Sequence, residues 1–215
     1  MNHSAVATPT TSKPLVSLSR FMRTIPVTAS LTIAAAILIA FPALSTALQW
    51  DITATSEWWQ IVTCHLTHWS LNHLSWDLLA FAVLGAICER VSRRSFATTL
   101  LTSAIVIPIV TTLTTPRILT YRGLSGIDSA LYALAACHLS AMGHREGDQV
   151  LKFVGILGWL AFVGKTIFEL VSGGLLFVND STFIPLPASH VAGAVVGTLV
   201  FAIGKCRHPN RNASI

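Results

Sequence analysis

The chain has 215 residues, 53% of them hydrophobic and only 11% charged, with a formal net charge of +5. Soluble domains carry about 25% charged residues, so this composition excludes an ordinary soluble protein and leaves little chain for a separate soluble domain. The excess of positive charge lies at the ends of apolar runs, which is the bias of a membrane protein and no argument for nucleic-acid binding.

Residues 1–23 are polar and rich in Ser, Thr and Pro, a composition expected to form a disordered tail. Residues 24–48 contain no charge. Arg20 and Arg23 precede that run and "ALSTA" resembles a signal cleavage site, but a signal's apolar region is only about 7–15 residues. A retained first span is therefore expected. Residues 69–88 carry only Asp77, residues 95–116 no charge, and residues 123–144 only Asp128. Residues 149–170 hold Lys152, Lys165 and Glu169, and residues 181–204 hold none. A spanning helix needs roughly 20 apolar residues, so the expected fold is an all-α bundle of six spans over residues 24–204, with a short basic tail over 205–215. Eleven of the 14 lysines and arginines then fall on the side of both termini. The positive-inside rule makes that side cytoplasmic, for a multi-pass protein of the inner (plasma) membrane. The four cysteines show no paired spacing, so no disulfide framework is expected.

The polar residues within the apolar runs carry the chemistry, because ionisable groups inside a bilayer are costly. His65 and His68 have the spacing H-x2-H but no HExxH accompanies it, so no metal is expected. They read instead as part of an interfacial belt with Trp58, Trp59 and Trp69. His73 and Asp77 lie one turn apart on one face of span 2. In "GLSG", Ser125 is a candidate N-cap of span 4, and Asp128 three residues on completes a capping box. Lys165 and Glu169, four apart in span 5, read as a local neutralising pair. In "SHVAGAVVG", His190, Gly193 and Gly197 share a face of span 6. The Gly-x-x-x-Gly spacing admits another helix backbone, and span 4 offers Gly126, Ala130 and Ala133 as the matching face. If these faces meet, His190 comes near Ser125. The pair can then act as nucleophile and general base, with the N–H groups at the start of span 4 receiving a developing oxyanion.

These residues resemble the rhomboid family of intramembrane serine proteases over nearly all of residues 50–204. "GLSG" is similar to the family's GxSG, "SHVAGAVVG" to its span-6 motif, and "HWSLNHLSWDLLAFAVLGAICE" to its span-2 motif. The resemblance implies Ser125 as nucleophile, His190 as base, and an oxyanion site at Gly123 and His73. It implies cleavage of membrane-anchored substrates in or near their transmembrane segment, without metal or cofactor. Three positions depart from the family. Asp77 stands where asparagine is usual, and is open between a neutral oxyanion donor, a structural acceptor for His73, and neither. Gln60 follows Trp59 where arginine is usual, which questions how the first outer loop is anchored. Ser129 replaces an aromatic residue that would stack on the histidine, and Asp128 is open between capping the helix and orienting His190. The departures resemble the rhombosortase branch, which implies single-span substrates with C-terminal sorting tails. The alternative is a non-proteolytic, rhomboid-like protein that binds or escorts membrane clients. An aspartyl protease built on Asp77 and Asp128 lacks GxGD, and a transporter lacks an internal repeat.

Overall fold

The computed structural model describes residues 22–54, 56–172, 174 and 186–207. The expected polar tail lies outside the described residues except for Met22 and Arg23, as does the basic tail from residue 208 onward. The uncharged run 24–48 forms two helices, α1 (Pro26–Leu38) and α2 (Pro42–Leu48). Proline opens each of them, where its missing N–H costs nothing. Pro42 also biases Phe41 away from helical backbone, and Phe41 has ψ 76°. The single first span expected from hydropathy is thus broken, with 13 residues before the break, about 20 Å of helix. Glu89 receives the free N-terminus of α1. Its carboxylate accepts Val27 N–H at 3.1 Å, Thr28 N–H at 2.9 Å and the Thr28 hydroxyl at 2.7 Å.

A two-residue strand, β1 (Trp50–Asp51), follows, then α3 (Gln60–Thr63) and a 3-10 turn at Cys64–Leu66. The long helices are α4 (Leu71–Val91), α5 (Arg93–Thr114), α6 (Ser125–Glu146), α7 (Gln149–Ser172) and α8 (Pro187–Arg207). Strand β2 (Thr120–Tyr121) pairs antiparallel with β1, Trp50 opposite Tyr121 and Asp51 opposite Thr120. Ser70 caps α4 by accepting His73 N–H, and Ser92 caps α5 by accepting Ser95 N–H. Gly147, with φ +70°, closes α6.

Among the described residues, four helices are long and apolar enough to cross a membrane by length and composition: α4, α5, α7 and α8. Helix α6 is as long, at 22 residues, but carries Asp128, His138, Arg145 and Glu146. Its position explains its composition. It packs against α4, α5, α7 and α8, and Ala130, Leu131 and Leu134 are fully buried. A helix surrounded by protein need not match lipid. The outer helices instead expose apolar side chains such as Leu79, Leu101, Leu157 and Val171, as a lipid-facing surface requires.

Candidate active site

Ser125 is the first helical residue of α6 and not its cap. The cap position is Leu124, in αR backbone, and no side chain caps it. Leu124 O accepts Asp128 N–H at 2.9 Å, which starts the α-helical ladder and leaves the earlier N–H groups without intrahelical partners. The expected capping box does not form. Neither Asp128 carboxylate oxygen has a hydrogen-bond partner among the described residues, although the side chain is buried.

The anchor comes from another helix. Leu124 N–H donates to Asp77 Oδ2 at 3.0 Å, and the Nε2 atoms of His68 and His73 lie 3.1 and 3.3 Å from the same oxygen. Of the roles left open for Asp77, the geometry is that of an acceptor tying the chain before Ser125 to α4. His68, expected at the membrane interface, is buried because it belongs to this cluster. His65 is buried too, its ring between the carbonyls of Gly123 and Ala104, each at 3.2 Å. Burial pushes the His65 imidazole down to about 4, against the pull of those two carbonyls. A neutral ring carries one N–H, so it donates to one carbonyl at a time.

Gly123 has φ +121°, and a Cβ there would lie 2.9 Å from His73 Cε1. Its N–H donates to Cys64 O at 3.1 Å. The loop before Ser125 is therefore held by β1–β2 pairing, the 3-10 turn and Asp77 together. Gln60 supplies the anchoring that its departure from arginine put in question. It is buried, accepts Asp51 N–H at 3.1 Å and donates to Ala47 O at 3.1 Å. Arg122 adds a second tie, donating to Gln49 Oε1 at 2.8 Å while its guanidinium sits 4.4 Å from the Trp69 ring centroid.

Ser125 and His190 line one cavity of about 720 Å³, together with His73, Asp77, Asp128 and Glu169. Helices α6 and α8 approach at backbone contact. A Cβ added at Gly193 would overlap the Gly126 carbonyl oxygen, and one at Gly197 the Ala130 carbonyl oxygen. A Cβ at Gly126 would come 3.2 Å from Ser189 O. Among the described hydrogen bonds none joins Ser125 Oγ to His190; such bonds are often long without substrate. Ser129 turns its hydroxyl back to Ser125 O at 2.9 Å. Tyr132 packs its ring 5.6 Å from that of Phe162.

His190 Nδ1 meets Glu169 Oε2 at 3.1 Å, so its carboxylate neighbour is Glu169 and not Asp128. Glu169 is fully buried, and Lys165 Nζ donates to its other oxygen at 2.7 Å. The local pairing read from the sequence is present but incomplete. A carboxylate has about four acceptor sites, and one lysine within the helix occupies a single side of it. That surplus in a buried position was the available signal.

A family model described as Rhomboid domain matches residues 55–206. The match begins after α1, α2 and β1. No curated protein matches the chain.

Proposed function

The chain belongs to the rhomboid family, generally a family of intramembrane serine proteases, and on that premise we propose that it is an intramembrane serine endopeptidase working through Ser125 and His190. The observation that carries the reading is their placement on two helices in backbone contact, facing one cavity. His190 takes the Ser125 proton as Oγ adds to the scissile carbonyl, then returns it to the leaving amine as the C–N bond breaks. Water repeats the sequence on the acyl-enzyme and restores both side chains. The first-turn N–H groups of α6 stabilise the tetrahedral oxyanion, a contribution of about 3–4 kcal/mol per donor in other serine proteases, and His73 adds a donor when its Nε2–H turns from Asp77 to that oxygen. Gly123 admits that approach because no side chain stands between the loop and His73.

The substrates in this reading are single-span membrane proteins, and the rhombosortase-like positions Asp77, Gln60 and Ser129 favour those with C-terminal sorting tails. The chain crosses the inner membrane six times, with both termini cytoplasmic and no metal or cofactor. The α1–α2 pair supplies the first crossing and α6 the fourth. Purified protein with a fluorescent transmembrane substrate tests the reading. Ser125→Ala and His190→Ala each abolish cleavage; undiminished turnover in Ser125→Ala overturns it. A sorting-tail substrate cleaved no faster than a tail-less one overturns the subclass alone.

A further inference from the structure

We propose that Glu169 is a positioning residue for the reaction, fixing the His190 ring so that Nε2 serves as the base; the inference rests on the Ser125–His190 reading above. Three observations lead to it. Glu169 sits on α7 and His190 on α8, so their contact joins two helices. The contacting atom is Nδ1, which leaves Nε2 as the other ring nitrogen of a residue that lines the same cavity as Ser125. Lys165 holds the opposite oxygen, which pins the carboxylate plane. A carboxylate that accepts Nδ1–H selects the tautomer with a lone pair on Nε2.

Proton bookkeeping is then closed within the site. As the Oγ–C bond forms, the Ser125 proton moves to Nε2, giving an imidazolium whose Nδ1–H stays on nitrogen and faces the Glu169 carboxylate. As the C–N bond breaks, the Nε2 proton moves to the amine. Glu169 exchanges no proton at any stage. The competing account is that Glu169 only neutralises Lys165 inside a membrane helix.

Paired variants separate the two accounts. Glu169→Gln lowers kcat on the order of 10²-fold or more, with KM within about twofold, since a lost tautomer partner acts in the reaction and not in binding. Glu169→Asp recovers part of that loss. Lys165→Met combined with Glu169→Gln removes both charges, so the double variant melts as the wild type does yet remains as slow as Glu169→Gln. Reaction of Ser125 with a fluorophosphonate, quantified in the same membranes, slows in parallel. If the double variant regains wild-type kcat, the carboxylate served the lysine and the proposal is overturned. If Ser125→Ala retains cleavage and labelling, the Ser125–His190 reading itself fails, a result that Glu169 variants alone cannot mimic.

Discussion

Replacing Asp77 tests how Ser125 is held. One oxygen of this side chain meets Leu124 N–H at 3.0 Å, His68 Nε2 at 3.1 Å and His73 Nε2 at 3.3 Å, all in a buried setting. Hydrogen bonds to a charged group contribute about 1.5–3 kcal/mol each. The longest of the three counts least, and contacts sharing an atom are not additive. Removing one partner of a buried charged cluster costs about 3–5 kcal/mol, which we take for Asp77→Ala. Asp77→Asn can place its amide oxygen where Oδ2 stood and keep the Leu124 bond. It loses the charge, worth about 1 kcal/mol per bond by the difference between charged and neutral acceptors, so its cost is about 1–2 kcal/mol. Chemical unfolding in detergent micelles, followed by the fluorescence of the six tryptophans, should rank wild type above Asn above Ala. Turnover should fall in the same order, because Leu124 immediately precedes Ser125. An Ala variant as stable as wild type, or an Asn variant less stable than Ala, refutes the acceptor role.

Gly193→Ala forces a methyl group onto the Gly126 carbonyl; since ~1 Å of misplacement can cost about 10²-fold, kcat should drop at least 10-fold in protein that still folds, and unchanged turnover would contradict the backbone contact. Glu89→Ala strips three hydrogen bonds from the start of α1 and should cost about 3 kcal/mol, read as a lower melting temperature and faster proteolysis before residue 55. His65 is held neutral in the fold, down at about 4 from 6.5. The folded state therefore binds fewer protons than the unfolded one. Its contribution is complete above pH 6.5 and is lost as pH falls from 6.5 through 4, about 3 kcal/mol in all. His65→Gln should flatten that slope of unfolding free energy against pH; an unchanged slope assigns it to other groups.

The residues that announced themselves in the sequence did so through local spacing. Ser125 stood between glycines, and His190 shared a face with Gly193 and Gly197 at a period that any helix imposes. The small faces of α6 and α8 could be matched by inspection because small residues in membrane helices have few other uses. What stayed hidden depends on contacts between distant segments. Glu169 looked satisfied by Lys165 four residues away, and only the packing of α7 beside α8 brings it to His190. His68 read as an interfacial residue because nothing local places it on Asp77. The uncharged run 24–48 hid the break that Pro42 imposes. Helix α6 forms where a span was expected, and it is less apolar than its neighbours because protein surrounds it.

The contact of α6 with α8 is made by hydrogen atoms of glycine against carbonyl oxygens. Such a contact has no rotamers, so temperature, neighbouring lipids or distant substitutions have no side chain there to rearrange. The spacing between Ser125 and His190 inherits that stiffness. If Ser125 and His190 act as proposed, tuning of the rate falls to parts that side chains still control: the α7 carboxylate beside His190, and the segment 117–122 that lines the cavity.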